Sequence, residues 1–134
     1  VFIGRKSYEM AKQHAGNNNG EVVVPGMPPM IEYVFSNTLK RVKDGAILIS
    51  GDSMAETRKI KEQPGKDIWL FGGASLTDAL MKEGLVDELW LSVQPILLGN
   101  GTPLFRRQDN RAQLTLLDSK TYKTGLVSLW YKIG

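Results

Sequence analysis

The organisation of this chain is clearest in residues 67–76, which read Asp-Ile-Trp-Leu-Phe-Gly-Gly-Ala-Ser-Leu. The mainly apolar run Asp67–Phe71 predicts a strand, and the two glycines that follow end it abruptly. Ser75 and Asp78 then open an amphipathic helix, because an N-cap serine followed three residues later by an acid is typical of a helix start. A strand that passes through a tight turn into a helix is the repeating unit of an α/β sheet.

The chain begins with the same pattern. Val1–Ile3 is a short apolar run, and Gly-Arg-Lys-Ser follows it. Ser7 is the expected N-cap of a helix from Tyr8 to about His14, which a glycine ends. The sequence therefore predicts a second strand that turns directly into a helix.

A third junction of this kind lies near the middle of the chain. Ala46–Ser50 is almost continuously apolar, so we expect this strand to be buried on both faces. Gly-Asp-Ser follows, and Ser53 with Glu56 predicts a capping box before a helix from Met54 to about Gln63. Gly-Asp-Ser-Met-Ala also resembles the nucleophile elbow of a serine hydrolase, but such a serine needs a base and the chain has a single histidine. We therefore interpret Ser53 as a helix cap.

The remaining apolar stretches complete the predicted fold. They are strands at Ile31–Phe35, Val86–Leu98, Leu114–Leu117 and Leu126–Ile133. Alternating strands and helices predict an α/β fold of three layers, with a mostly parallel central sheet and helices on both faces. The last strands have no helices between them and predict an antiparallel C-terminal edge. The chain has 134 residues and no linker or repeat, so we expect one domain over residues 1–134.

Composition and charge exclude several classes of protein. The absence of cysteine excludes disulfides, thiolate metal sites and a cysteine nucleophile, and it suits the cytoplasm. We predict no metal centre, since the single histidine, His14, is expected on a helix surface. No apolar run has the length of about 20 residues that a membrane span needs. The net charge is only +3, and the basic residues are interleaved with acidic ones. No nucleic-acid partner is therefore expected. The one basic cluster is Arg106, Arg107 and Arg111.

Two of the three junctions combine features of an anion site. Arg5 and Lys6 lie at a helix N-terminus, where cations are unfavourable unless an anion binds there as well. Gly72 and Gly73 let a ligand approach the backbone without meeting a Cβ. Ligands of open α/β sheets bind beyond the carboxyl ends of strands, so two such junctions favour a ligand with several phosphates, such as a dinucleotide. The alternatives are solvation of the two cations and a glycine turn that serves packing.

Five stretches, taken in order, carry a resemblance to a known family. They are residues 1–9, 33–39, 68–76, 84–89 and 95–105. The first three resemble the dihydrofolate reductase fold. The last two read Gly-Leu-Val-Asp-Glu-Leu and Pro-Ile-Leu-Leu-Gly-Asn-Gly-Thr-Pro-Leu-Phe and are more specific. With them the chain resembles the reductase domain of the bifunctional riboflavin-biosynthesis deaminase/reductase and its stand-alone bacterial relatives, over nearly all of its length.

The resemblance implies an NADPH-dependent reductase that acts on a pterin such as dihydrofolate or on a riboflavin-pathway pyrimidine. Phosphates of the cofactor would be held at the first helix by Gly4, Arg5, Lys6 and Ser7. The adenosine ribose and its 2′-phosphate would lie near Ser36 and Asn37, although relatives often have a basic residue in place of this asparagine. The pyrophosphate and the nicotinamide would lie at Gly72, Gly73, Ala74, Ser75 and Leu76. The pocket shared by nicotinamide and substrate would be faced by Phe71.

The resemblance also implies parts of the protein beyond these residues. The family has a strand, a substrate-covering loop and a helix before the position of Val1, and in dihydrofolate reductases the acidic substrate-binding residue lies there. We therefore expect this sequence to lack an N-terminal strand and helix, and the catalytic residue to lie upstream of Val1. A homodimer is expected by analogy with the family. The alternative is a nucleotide-binding relative without turnover, acting as a regulatory or scaffold protein.

Overall fold

The structure, a computed structural model, describes residues 1–14, 26, 28–105 and 111–134, and for His14 the backbone only. The described residues form seven strands and three helices. In chain order these are β1 (Phe2–Gly4), α1 (Arg5–His14), β2 (Tyr33–Phe35), β3 (Ile47–Ile49), α2 (Ser53–Glu62), β4 (Leu70–Gly72), α3 (Ala74–Lys82), β5 (Glu88–Val93), β6 (Leu114–Thr121) and β7 (Val127–Ile133). They divide into two compact units, Val1–Ala79 and Leu80–Gly134.

The first unit is built on a parallel sheet in the order β3-β2-β1-β4. Ile3 in β1 pairs with Val34 of β2 on one side and with Gly72 of β4 on the other. All three strand pairs are parallel, so the carboxyl ends of the four strands lie at one edge of the sheet. Three of these strands lead into helices, and the helices therefore begin at that edge.

The core of the first unit forms around its central strands. Ile3 and Val34 are completely buried, and Tyr8 of α1 packs with them. The Tyr8 hydroxyl accepts a hydrogen bond from the Lys43 backbone N–H at 3.0 Å, which ties the segment after β2 to α1. Full burial of an aliphatic side chain contributes about 1.5–3 kcal/mol, so this small cluster holds α1 against the sheet.

The second unit contains an antiparallel sheet in the order β5-β7-β6. β7 pairs with β5 on one side and β6 on the other, and the register of β6 shifts between Leu116 and Asp118. The unit opens with the end of α3, where Gly84 has φ +65° and the Leu85 N–H bonds back to the Leu80 carbonyl at 2.9 Å. A glycine in this left-handed conformation is a common way to end a helix.

The fold class predicted from the sequence is confirmed, with a parallel sheet from the strand–helix repeats and antiparallel strands at the C-terminal end. Within the described residues the antiparallel strands form a sheet of their own rather than an edge of the parallel sheet. The strand predicted at 46–50 forms as β3, but the prediction that it is buried on both faces is wrong. β3 is an outer strand and Ile47 is 43% exposed, because an outer strand has a neighbour on one side only.

All three predicted helix starts are wrong by one to three residues. α3 begins at Ala74, so Ser75 lies inside the helix and is not its N-cap. α1 begins at Arg5, directly after β1, so Ser7 lies inside the first turn and is not the N-cap. The N-cap of α2 is Asp52, whose Oδ1 accepts a hydrogen bond from the Ala55 N–H at 3.0 Å. Aspartate caps a helix as well as serine does, and it stands one residue earlier than Ser53, at the point where the chain leaves its turn.

The sequence analysis also considered a membrane span, a metal site, the arginine cluster and His14. None of the described helices is long and apolar enough to cross a membrane. In the same residues there is no group of three or more side chains that could hold a metal ion. Arg106 and Arg107 lie outside the described residues, as does the His14 side chain, and Arg111 is exposed.

Candidate functional site

The edge formed by the carboxyl ends of β1–β4, here called the carboxyl edge, brings the predicted site residues together. Gly4 at the end of β1 pairs with Phe35 at the end of β2, and Phe35 pairs with Ile49 of β3. Gly72 at the end of β4 pairs with Ile3. The junctions that follow β1 and β4 therefore lie on adjacent strands and at the same edge.

The β1–α1 and β4–α3 junctions approach each other through their backbones. A Cβ added to Gly4 would lie 3.5 Å from the Gly72 carbonyl oxygen and 3.8 Å from the Gly73 nitrogen. A Cβ added to Gly73 would lie 3.1 Å from Ser7 Oγ, closer than side chains ordinarily approach. Gly72 has φ +116°, which favours glycine, and the Gly72–Gly73 peptide bond is cis. The two junctions thus form a single surface lined by backbone atoms.

Helix α3 begins at this surface. The Gly73 carbonyl accepts hydrogen bonds from the Leu76 N–H at 3.0 Å and the Thr77 N–H at 3.1 Å, so the helix starts immediately after the glycine pair. Ser75 is exposed, and Ala74 is half-buried. The first N–H groups of a helix have no acceptor within it, and this end carries partial positive charge. An anion bound at the carboxyl edge would be stabilised by this end of α3.

The first turn of α1 adds positive charge to the same edge. Arg5 and Lys6 follow Gly4 directly, and the turn has no acidic residue. Arg5 Nη1 lies 3.1 Å from Oε2 of Glu9, one helical turn further along, and both side chains are partly exposed. Lys6 is exposed. Glu9, which the sequence analysis missed, therefore balances part of the charge; its spacing of four residues from Arg5 is the signal that could have revealed it.

Ser36 and Asn37 lie at the carboxyl edge after β2, where they stabilise the local backbone. Ser36 Oγ accepts hydrogen bonds from the Thr38 N–H at 3.2 Å and the Leu39 N–H at 3.0 Å. Asn37 Oδ1 accepts one from the Gly51 N–H at 2.9 Å and so links the ends of β2 and β3. The turn-forming tendency of serine and asparagine accounts for these bonds, which occupy oxygens that the resemblance placed near a ribose.

The β3–α2 junction differs from the other two. Because the Asp52 carboxylate caps α2, the partial positive charge of this helix end already faces a negative side chain. The Ser53 carbonyl accepts a hydrogen bond from Thr57 Oγ1 at 2.8 Å, inside the helix. The elbow-like sequence is therefore a capped helix start, although the cap is aspartate rather than the predicted serine.

Phe71 presents an aromatic surface at the end of β4. Its side chain is 41% exposed, and its ring meets that of Trp69 edge to face with the centroids 5.2 Å apart. Residues two apart along an extended chain lie on the same side. Trp69 was missed by the sequence analysis, although this spacing was visible. The pair places a partly open aromatic ring beside the Gly72 backbone.

A cavity of about 250 Å³ lies elsewhere in the first unit, between α1 and residues 39–43. Tyr8 and Leu39 contribute apolar lining, and Lys12 and Arg41 contribute charge. It has no glycine in its lining among the described residues, so it lacks the backbone access of the carboxyl edge. We therefore place the candidate site at the carboxyl edge.

These features define an α/β protein whose sheet edge presents helix N-termini, a glycine-lined backbone and two cations. The RibD C-terminal domain family matches residues 8–128 of this chain. Because the match covers most of the sequence, the chain belongs to this family. Membership agrees with the class of reductase domain that the resemblance implied.

Two curated proteins of Bacillus subtilis (strain 168) are similar to the chain over most of its length. YyaP, described as an uncharacterized protein, is 36% identical over 135 residues, which are 98% of this chain and 72% of YyaP. YwjB, described in the same way, is 33% identical over 125 residues, or 91% of this chain and 67% of YwjB. These names carry no activity, and the similarity supports the family assignment alone.

Solved structures show the same fold. A putative riboflavin biosynthesis protein from Shewanella sp. PV-4 has a TM-score of 0.80 at 22% identity, over 99% of this chain and 72% of that one. A pyrimidine reductase-like protein from Corynebacterium diphtheriae has a TM-score of 0.71 at 15% identity, over 99% and 75%. RibD of Acinetobacter baumannii has a TM-score of 0.67 at 18% identity, over 100% and 46%. At these identities the likeness shows the fold alone.

Proposed function

We propose that this chain is an NADPH-dependent reductase that transfers a hydride to a pterin or to a riboflavin-pathway pyrimidine. One observation carries the proposal: the β1–α1 and β4–α3 junctions, found separately in the sequence, meet as one backbone-lined surface at the carboxyl edge. Family membership supports the reductase class. The names of the pyrimidine reductase-like and riboflavin biosynthesis neighbours favour the second substrate class. We place the reaction in the cytoplasm, which the lack of cysteine suits.

The carboxyl edge fits the diphosphate of a dinucleotide. Gly73 approaches Ser7 so closely that a side chain at this position would fill the space between the first turns of α1 and α3. The first N–H groups of α3, around Ser75, would donate hydrogen bonds to the diphosphate and stabilise its negative charge. Lys6 would add charge-assisted hydrogen bonds to the diphosphate from the other side, while Arg5 is left for the cofactor's 2′-phosphate. This combination explains why two cations are tolerated at a helix N-terminus.

The 2′-phosphate that distinguishes NADPH from NADH needs positive charge. Asn37 is neutral, and its Oδ1 is engaged by the Gly51 N–H. Arg5, Lys6 and Lys40 are the candidate sources of this charge, and we propose Arg5, which follows a strand paired with β2. We propose that a bound 2′-phosphate competes with Glu9 for the Arg5 guanidinium, since a dianionic phosphate binds this group more strongly than an exposed carboxylate does.

The cofactor supplies the hydride, and the chain must hold it against the substrate and keep water away. Phe71 offers an aromatic face beside Gly72, and planar heterocycles such as pterins and pyrimidines stack on such faces. Trp69 holds this ring from the side through an edge-to-face contact. We therefore propose Phe71 as the substrate-binding residue of the described structure.

Replacement of Gly73 by valine tests the binding part of the proposal. Because the added side chain would meet Ser7, the affinity for NADPH should fall by about 1–3 kcal/mol, which is roughly 5- to 150-fold. Gly65→Val is the matched control, since nothing lies within 4 Å of a Cβ there. Affinity is measured by fluorescence titration, and thermal unfolding checks that both variants fold. Unchanged affinity in a folded Gly73→Val protein would remove this junction from the site.

Turnover distinguishes the reductase from a nucleotide-binding relative. NADPH oxidation by the full-length protein is followed by absorbance with dihydrofolate and with the ribosylamino-pyrimidine intermediate of riboflavin synthesis. Oxidation with one of the two substrates supports the reductase and identifies its substrate class. NADPH binding without oxidation by either substrate would instead support the regulatory or scaffold alternative.

A further inference from the structure

The cavity beside α1 lies in the same unit as the carboxyl edge but has a lining of a different kind. Its volume is about 250 Å³, and we call it the α1 cavity. Its inner side is apolar: Tyr8 is buried there, and Leu39 and Val42 pack partly buried against the same core. A cavity of roughly 150 Å³ can hold benzene, so the α1 cavity has room for one ring or branched chain together with a small polar group.

The charged side chains of this lining are mostly basic. Lys12 of α1 and Arg41, in the segment after β2, are both exposed at the cavity. Within residues 1–14, 26, 28–105 and 111–134, neither of them is paired with an acid. A single exposed cation is ordinarily solvated and needs no explanation. Two cations from different segments that converge on one cavity instead favour an anionic ligand.

The other two charged residues of the lining already have partners. Glu9 Oε2 lies 3.1 Å from Arg5 Nη1, one turn back along α1. Lys43 Nζ lies 2.8 Å from Oε1 of Glu32, and both of these side chains are largely buried. Because each of these pairs balances its own charge, the charge left at the α1 cavity is that of the two exposed cations. The cavity is therefore unsuited to a cationic ligand.

A buried hydroxyl adds a hydrogen-bond donor on the inner side of the cavity. Tyr8 is only 4% exposed, and its hydroxyl oxygen accepts a hydrogen bond from the Lys43 N–H at 3.0 Å. Since both residues line the cavity, the hydroxyl lies at its wall. A phenol donates as well as accepts, and the described residues provide no acceptor for this proton. A ligand oxygen at the wall would be stabilised, because a buried donor without a partner is unfavourable.

Together these features fit a carboxylate with a hydrocarbon body. The planar guanidinium of Arg41 matches the two oxygens of a carboxylate, and Leu39 and Val42 offer apolar contact that a purely inorganic anion does not use. We propose that the α1 cavity is a second binding site, which takes a small organic carboxylate with an aromatic or branched apolar body. Lys12 lies two helical turns, or about 10 Å, beyond Arg5 along α1, so this site is distinct from the carboxyl edge.

Titration of the full-length protein with benzoate, followed by NMR shifts of the backbone amides, tests the site. We expect saturable shifts confined to residues 8–12 and 39–43, with a dissociation constant on the order of 1 mM. Benzyl alcohol has the same ring without the charge and should bind at least about tenfold more weakly. Shifts centred on residues 72–76 would place the anion at the carboxyl edge, shifts that never saturate would mean an adventitious ion only, and equal binding of benzyl alcohol would mean an apolar hole. Each of these three results overturns the proposal.

A pair of substitutions tests the role of the cations. Arg41→Gln removes the guanidinium from an exposed position, so the fold should be preserved, and the dissociation constant of benzoate should rise at least about fivefold. Lys66→Gln is the matched control, since it removes the same charge from an exposed residue outside the lining and should leave the affinity unchanged. Thermal unfolding checks that both proteins fold. Equal losses in the two variants would indicate an effect of net charge alone, and no loss in Arg41→Gln would exclude the guanidinium; either result contradicts the proposed site.

Discussion

The two units of this chain use strand-forming residues in opposite ways. In the first unit Ile3 is completely buried, and the candidate site is the backbone at Gly72 and Gly73, of which Gly72 is buried and Gly73 half-buried. In the second unit β7 is paired on both sides, and the open surface consists of apolar side chains such as Trp90 and Leu97. One unit therefore brings backbone atoms of two junctions together at a sheet edge, and the other exposes apolar side chains.

The direction of the strands explains this difference. The parallel strands all end at one edge, and three of the four lead into a helix there, so N–H groups and helix dipoles accumulate at that edge. Antiparallel strands reverse through turns, which leaves neither end of the sheet with such a concentration of donors. The carboxyl edge of a parallel unit is thus suited to a small anionic ligand. Three pairs of substitutions can sharpen or break this contrast.

The largest expected effect concerns stability. Ile3→Ala removes a side chain at 0% exposure from the middle of the parallel sheet, and the free energy of unfolding should fall by about 2–5 kcal/mol. Leu97→Ala removes a fully exposed side chain and should change it by no more than about 0.5 kcal/mol. Both are measured by urea unfolding. Similar losses in the two variants would contradict the assignment of core and open surface.

The second prediction separates a capped helix start from an open one. Asp52→Ala removes the side chain that accepts the Ala55 N–H, so the free energy of unfolding should fall by about 1 kcal/mol with NADPH affinity unchanged. Ser53→Ala, one residue later, should change the free energy of unfolding by no more than about 0.5 kcal/mol. Chemical unfolding and cofactor titration are carried out on both proteins. A larger loss in Ser53→Ala would restore the serine cap that the sequence predicted.

The smallest effect tests how the carboxyl edge uses its charge. Glu9→Gln removes the partner of Arg5, and an exposed ion pair of this kind contributes about 0.3–0.5 kcal/mol. NADPH should bind roughly twofold more tightly and NADH should be unaffected, because only NADPH has the 2′-phosphate. Glu56→Gln is the matched control, since it breaks the Lys59 ion pair in α2. Equal gains for the two cofactors would show that Arg5 does not reach the 2′-phosphate.

Sequence reasoning was most successful where a signal is contained in a few neighbouring residues. The glycines after the apolar runs predicted all three strand–helix junctions, and two of them meet as expected. Helix starts were less accurate, because Asp52 and Ser53 are both good caps and the turn geometry selects between them. The exposure of Ile47 was missed because periodicity cannot tell an outer strand from an inner one.

The amino-acid sequence by itself determined the order of strands and helices and the positions of the glycine turns between them. Turns, caps and apolar periodicity each depend on residues that are close together in the chain. Only the tertiary structure decided that Ser7 meets Gly73 and that Trp90 stacks on Trp130 in the open. Those contacts join residues far apart in the chain, and they depend on the pairing order of the strands and on which face each sheet covers. Local preference does not specify either choice, since each arises from the packing of the whole unit.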